Sequence, residues 1–400
     1  SAHPISFPVD ALRGRQTSVD LIRPQRNNDV STAGSVAYGG VPRKHLSWHP
    51  VRPLAALLLP DDSLRFLHVM EASKAGGTDL RWSNTVLTHE FMRGVTCIAW
   101  CPLAEVLAVG CAEGVCMWRL VVDGSAWMTF LQYPNNCKQG PTQSITWCPS
   151  GRHLAACHPS CVLVWDVATR TSFPLHTRRM GRPKFVIWSP DEMYLFTAFE
   201  KDGFCIWETN RWTRELWNLS TCRAAAWNPT SGHIAVAMSE TQPGYRGDQP
   251  LFIGRPLSAP DARTSSSTTQ FEITFTPVVL PKPSGALSNM IGQEAEETMV
   301  CSSSTVNELY WSPDGSALVV SFQDADYGLI AVYQVQFQPL LNLSLIHVLD
   351  CRRSLLQNHV LMSPSTNVGF MVSVLWGDEP LAEHEGPPEC EQATLYLCCE

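Results

Sequence analysis

A short signature recurs along this chain: an alternating apolar run closed by Trp-x-Pro. It occurs at Trp48–Pro50, Trp100–Pro102, Trp147–Pro149, Trp188–Pro190, Trp227–Pro229 and Trp311–Pro313, and in degenerate form at Met362–Pro364. The anchors lie 52, 47, 41, 39, 84 and 51 residues apart. Apart from the 84, these intervals cluster near the roughly 40–45 residues of a four-stranded propeller blade. Each copy has the same grammar. The run ending at Trp reads as a strand. Pro with Ser, Asp or Gly makes a tight turn, because Pro fixes φ and Gly or Asp tolerates the bend that follows. A second apolar strand comes next, as in Val106–Val109, Leu154–Cys157, Tyr194–Ala198, Ile234–Met238 and Ala317–Ser321. A third ends in a second Trp at Trp118, Trp165 and Trp207, which lie 18, 18 and 19 residues after the first. Weaker third strands read at Leu64–Val69, Leu251–Ile253, Leu329–Val335 and Thr394–Cys398, and outer strands at Thr85–Phe91, Trp127–Tyr133, Ser172–Leu175 and Arg214–Leu219. The expected fold is all-β: a seven-bladed WD40-type β-propeller.

Nine of the fourteen Trp occupy the two repeat positions: Trp48, Trp100, Trp147, Trp188, Trp227 and Trp311, and Trp118, Trp165 and Trp207. A lone blade is a twisted sheet that cannot bury both faces. Stacked neighbours bury a continuous core, and a large flat side chain at a fixed position fills the gap between them. These nine therefore read as structural anchors and not as a surface for stacking a ligand.

Residues 1–44 read as an N-terminal segment, rich in Pro, Arg, Asn and Gly, and residues 45–400 as the propeller. The 84-residue interval is explained by a flexible insertion at about 255–300, whose Ser265–Thr269 and Pro281–Gly285 carry no apolar period. Within it, Phe271–Phe275 reads as the outer strand of the fifth blade. The seventh blade runs out after its third strand. Its outer strand is expected from the N-terminal segment, where Thr17–Ile22 alternates weakly.

The formal charge is −8, but seven acids fall in Asp378–Glu400, where there is no Lys or Arg, so the rest of the chain sits at −1. A near-neutral body argues against binding nucleic acid by phosphate neutralisation. No apolar run approaches the roughly 18–20 residues that span a bilayer, and no secretory signal opens the chain. Fifteen Cys without a C-x-x-C pattern read as small apolar strand residues in a reducing compartment. His153, Cys157, His158 and Cys161 are close in sequence, but alternate residues of a strand face opposite ways, so they read as a strand–turn–strand and no metal or cofactor is expected. No nucleophile elbow, phosphate-binding glycine loop or zinc-protease motif is present. The paired acids Asp61/Asp62 and Asp324/Asp326 read as turn residues. An enzyme is not expected.

One basic cluster stands out: Arg170, Arg178, Arg179, Arg182 and Lys184, with no acid from 170 to 184. Arg178, Arg179, Arg182 and Lys184 form a candidate patch for an anionic partner, a phosphoinositide head group or an acidic peptide. A solvated basic loop is the plainer reading.

The stretch Phe204–Trp217, with its Trp207–Glu208, Trp212–Thr213 and Trp217, followed by Cys222–Pro229, resembles the aladin family of WD-repeat nucleoporins. Trp48–Pro50 with Leu54–Leu59 and Asp61–Arg65 is similar to that family's first blade, and Val95–Trp118 to its second. The resemblance covers most of 45–235 closely and 306–335 less closely; the 255–300 insertion is not recognisable in it, and the last blade, 360–400, matches poorly. It implies a non-catalytic scaffold of the nuclear pore complex at the nuclear envelope. Its partners would be other nucleoporins, including a transmembrane nucleoporin, and it would support nuclear import. The residues themselves point only to a rigid interaction platform. Two other platforms fit them: a peripheral propeller reading phosphoinositides through 178–184, and a WD-repeat adaptor of a ubiquitin-ligase or signalling complex.

Overall fold

The computed structural model describes residues 46–52, 54–59, 61–71, 78–121, 125–134, 140–177, 181–201, 203–217, 221–239, 251–257, 272–278, 280, 305–312, 314–323, 329–338, 341–350, 357–362, 370–375 and 396–398. Among these residues there are seven antiparallel sheets and no helix. Within each sheet the strands follow chain order. Blade 1 is Leu46–Trp48, Leu54–Leu58, Leu64–Glu71 and Thr78–Leu87. Blade 2 is Cys97–Trp100, Val106–Gly110, Gly114–Leu120 and Ala126–Gln132. Blade 3 is Ser144–Trp147, His153–His158, Cys161–Asp166 and Thr171–Leu175, and blade 4 is Pro183–Trp188, Tyr194–Phe199, Phe204–Glu208 and Thr213–Trp217. Blade 5 is Cys222–Trp227, Ile234–Met238, Leu251–Leu257 and Glu272–Val278. Blade 6 is Thr305–Trp311, Ala317–Gln323, Leu329–Gln336 and Asn342–Asp350. Three strands of blade 7 are described: Gln357–Met362, Phe370–Leu375 and Tyr396–Cys398. The backbone of Gln357–Met362 runs alongside both the first strand of blade 6 and the first strand of blade 1, so the sheets form a closed wheel.

Two-sided burial sets the residue pattern. In Cys161–Asp166, Cys161, Leu163 and Trp165 pack toward blade 2, while Val162 and Val164 pack toward blade 4. In Phe204–Glu208 the same alternation sends Cys205 and Trp207 toward blade 3, and Phe204 and Ile206 toward blade 5. Side chains that alternate across a strand leave no polar face, which is why the inner strands read as continuous apolar runs. The result is five interblade cores, one between each consecutive pair from blade 1 to blade 6.

All nine anchor Trp are buried, and in blades 2 to 6 they face the preceding blade. Register explains the constant offset between the two Trp of a blade. Trp100, Leu107 and Trp118 lie opposite one another across three strands, as do Trp147, Leu154 and Trp165, and Trp188, Leu195 and Trp207. The extra residue in the last of these lies in the hairpin after Phe199. Blade 5 breaks the rung with Gly254, and the ring of Phe275 fills the space: a Cβ on Gly254 would come within 2.6 Å of it. A buried indole N–H needs an acceptor. Trp100 donates to the carbonyl of Ser47 at 3.1 Å, Trp147 to that of Ala99 at 3.0 Å and Trp311 to that of Ala226 at 3.0 Å. In each case the acceptor is the residue just before the anchor Trp of the preceding blade. The indole therefore ties neighbouring innermost strands as well as filling the gap between them.

Three readings from the sequence change. The outer strand of blade 1 is Thr78–Leu87, not Thr85–Phe91. Phe91 has left the sheet and stacks on Phe130 of blade 2 at 4.5 Å, so its apolar character serves the next blade. The sequence reading had no counterpart for the outer strand of blade 6, Asn342–Asp350, or for Phe370–Leu375. Within the 255–300 insertion, the third strand of blade 5 continues to Leu257 and its outer strand spans Glu272–Val278. The proposed strand donor Thr17–Ile22 and the pair Asp324/Asp326 lie outside the described residues.

Trp165→Ala is expected to cost about 3–5 kcal/mol, as for large-to-small core changes generally. Trp127→Thr, at an outer-strand position 70% exposed, should stay within about 0.5 kcal/mol of the parent. Denaturant unfolding of the two variants measures the difference, and equal midpoints would contradict the interblade role.

Candidate functional site

Both broad faces of the inner blades are consumed by packing, so the surface available for function is the two rims and the circumference. The first rim carries the turns between first and second strands and between third and outer strands. The second rim carries the remaining connections.

On the first rim, the residue between Trp and Pro is buried in six blades: His49, Cys101, Cys148, Ser189, Asn228 and Ser312. It pins the turn. The Ser189 hydroxyl donates to Asp191 at 2.6 Å and accepts from the Tyr194 N–H at 2.9 Å. Ser312 repeats the pattern with Asp314 and Ala317. The Asn228 side-chain oxygen accepts from the N–H groups of Thr230 and Ser231. In blade 1 the Nδ1 of His49 accepts from the N–H groups of Val51 and Arg52, at 3.1 and 2.9 Å. Its ring proton therefore sits on Nε2, which donates to Glu105 of blade 2 at 2.9 Å. Arg52 pairs with the same carboxylate. Similar links join the later blades: the Ser150 N–H donates to Glu192, and the Asn228 amide donates to the Gly315 carbonyl at 2.8 Å. No role for the x of Trp-x-Pro follows from the repeat spacing alone. The signal was there, because every copy has His, Cys, Ser or Asn at that position and none has an aliphatic residue.

The structure divides the basic cluster. Arg170 caps the far end of the outer strand of blade 3, on the first rim, with φ 58°. Arg178 and Arg179 lie outside the described residues. Arg182 is exposed. Lys184 is half-buried, lies 5.9 Å from the centre of the Phe185 ring and donates to the Cys222 carbonyl of blade 5 at 3.4 Å. Burial pulls its pKa below the usual lysine value.

The other chemistry-bearing residues are likewise tied into the frame. Asp61 accepts from the N–H and hydroxyl of Ser63, and Asp62 accepts from the N–H of Gly94 at 2.8 Å in the next blade. His153 to Cys161 form a strand–turn–strand, and among the described residues no three His, Cys, Asp or Glu side chains converge as a metal site. The nine cysteines whose side chains are described are buried and form no disulfide with one another. Burial raises the thiol pKa of Cys101, Cys157 and Cys205, and pushes Cys222 up to about 12. These thiols are protonated and enclosed, the reverse of a catalytic cysteine.

No protein-family model matches the chain. A curated relative from Arabidopsis thaliana, aladin, is 25% identical over 294 aligned residues, which cover 65% of this chain and 58% of that protein. The chain is similar to aladin. The match to aladin spans less than two thirds of that protein's length. Among solved structures, a chain of the mitotic checkpoint complex overlays with a TM-score of 0.52 at 14% identity, over 84% of this chain and 88% of that one. The β-propeller domain of Myceliophteria thermophila Cps50 (Swd1) overlays at 0.47 and 16% identity, over 70% of this chain and 80% of that one, which is too loose to argue from. The aladin match agrees with the blade motifs, and the overlay with the mitotic checkpoint chain bears on the fold alone.

His49 gives this rim a pH dependence. Burial, the largest influence, lowers its pKa from 6.5; Glu105 opposes this and Arg52 adds to it. A neutral His in the fold and a readily protonated one in the unfolded chain mean that the stability is full above about pH 6.5 and is lost as the pH falls through the lowered value. His49→Asn should keep the turn, as Asn228 does in blade 5, and lose less stability than the parent between pH 7 and 5. Burial also lowers His153 and His233, so the slope shrinks without vanishing. Denaturant midpoints at the two pH values measure it, and unchanged slopes would refute the assignment.

Proposed function

We propose that this chain is a non-catalytic scaffold subunit of the nuclear pore complex. It docks other nucleoporins, one of them membrane-anchored, and supports nucleocytoplasmic transport from the nuclear envelope. The observation that carries this reading is the 25% identity to aladin over 294 residues.

The geometry fits a docking role. A wheel whose blades are tied at both rims presents loops on a stiff frame, which suits recognition without chemistry. Asp61, Asp191 and Asp314 are held within turns, the described thiols are enclosed, and Lys184 is engaged by a backbone carbonyl. No helix among the described residues is long and apolar enough to cross a membrane. In this reading the membrane is reached through a partner.

A tagged copy expressed near endogenous level should give a punctate nuclear rim and co-purify with nucleoporins after detergent extraction. Recovery of ubiquitin-ligase subunits without any nucleoporin would overturn the reading. So would vesicle binding that is specific for phosphoinositides and lost on Arg178→Ala/Arg179→Ala.

A further inference from the structure

Because the repeat recurs, each rim position can be compared across blades. The third residue after the anchor Trp is Ser150, Asp191, Thr230 and Asp314 in blades 3 to 6, all exposed. Asp191, Thr230 and Asp314 hydrogen-bond within their own turns. In blades 1 and 2 the same position holds Val51 and Leu103, 71% and 74% exposed. A second position lies on the outer strand, opposite the residue after the third-strand rung. It is Thr171, Thr213, Thr274 and Ser344 in blades 3 to 6, again exposed. In blade 2 it is Trp127, 70% exposed. Trp127 lies opposite Arg119, where blades 3 and 4 place Asp166 and Glu208 to cap their turns.

Nothing in the blade frame requires these residues. Trp212 packs edge-on against Phe173 at 4.9 Å and Trp217 stacks on Phe204 at 5.2 Å, so both are absorbed by cores. Trp127 meets no other ring among the described residues. The departures also cluster. The Leu120 N–H donates to the Glu105 carbonyl and the Val121 N–H to the Ser125 carbonyl, both at 2.9 Å. The turn bearing Leu103 therefore adjoins exposed Val121 and the strand that carries Trp127. Directly opposed residues share a sheet face, which sets Arg119 beside the indole.

We infer that the first rim of blade 2 is a docking surface for a protein segment that sets an apolar side chain against Trp127 and Leu103 and a carboxylate against Arg119. Exposed Trp and Arg at the centre of a patch are the residues that carry binding energy at interfaces. Charge selects the occupant. The nearby Arg52 and Arg152 already pair with Glu105 and Asp166. Arg119 and Arg170 have no acidic partner among the described residues, so the described part of this rim carries two unpaired positive charges. That charge is too small for an anionic bilayer, which calls for clusters of about 4–8 basic residues, and the Glu105 and Asp166 carboxylates on the same rim would oppose one. The inference rests on the docking-scaffold reading and names the surface it would use.

The test selects phage-displayed random 16-residue peptides on the folded full chain. Enriched sequences should combine Trp, Phe or Leu with Asp or Glu. Their affinity should fall at least tenfold on Leu103→Ser/Trp127→Thr, which writes the residues of blade 3 into blade 2 and should leave the melting temperature unchanged. Arg119→Asp should weaken acidic peptides and spare versions in which Asp and Glu are replaced by Asn and Gln. Peptides that bind the double variant as well as the parent, or that are enriched without acids, would overturn the inference. So would Trp127-dependent binding of phosphatidylserine vesicles, which would put a bilayer there, or an absence of any enriched binder. These readouts do not depend on cellular location. A tagged copy absent from the nuclear rim would therefore refute the pore assignment while leaving the docking surface to be judged on the peptides.

Discussion

The wheel depends on indole rings set between sheets. A four-stranded meander exposes two faces, and water is excluded from both only if each neighbour supplies a surface of matching depth. In blades 2 to 4 Trp does this at two positions, because the register puts both on one cross-strand rung, separated by Leu107, Leu154 or Leu195. The polar end of the ring is then satisfied by the preceding innermost strand, as Trp100, Trp147 and Trp311 show. Burial and hydrogen bonding act at the same residue, so a blade out of position would lose both. Among the described residues the indoles of Trp188 and Trp227 reach no acceptor, so at those two junctions packing carries the contact without that bond.

That arrangement leaves the rims and the circumference as the surface open to a partner. The first rim is stitched by side chains that reach from one blade to the next: His49 to Glu105, Asn228 to Gly315. Each such bond removes a degree of freedom from a turn that would otherwise flex. A partner that docks on ordered turns loses less entropy on binding than one that docks on mobile loops. Stiffness is therefore part of what a scaffold offers.

Much of this was legible in the sequence, because the Trp-x-Pro repeat encodes packing that every blade must satisfy. The inner strands and the Trp positions were readable for that reason. Outer strands were less so. Asn342–Asp350 sits at a sheet edge where one face is half solvated, and its alternation is diluted by exposed Ile346. Phe91 misled because an aromatic beside a strand looks like strand, whereas its ring belongs to a stack with Phe130. The basic cluster misled differently. Arg170 and Arg182 are 12 residues apart, but a whole outer strand separates the rims they occupy, and linear charge density does not record that a strand reverses nothing along its own length. The turn pins were missed because Cys, Ser, Asn and His do not look alike, yet each presents an acceptor to the same turn.

In a repeat ring, identity and fold carry separable information. The overlay with a chain of the mitotic checkpoint complex needs only 14% identity, so the frame asks little of a sequence beyond its anchors. What distinguishes one wheel from another then resides where a blade departs from its own repeat. Trp127 and Leu103 are such departures. They replace a hydroxyl or a turn-bonding side chain, found at the same place in four other blades, with apolar surface that faces water. An exposed indole adds nothing to the core and raises the risk of unwanted association. A chain that already uses nine Trp to build its frame has no structural use for that one at the rim, and the internal comparison locates it without reference to any other protein.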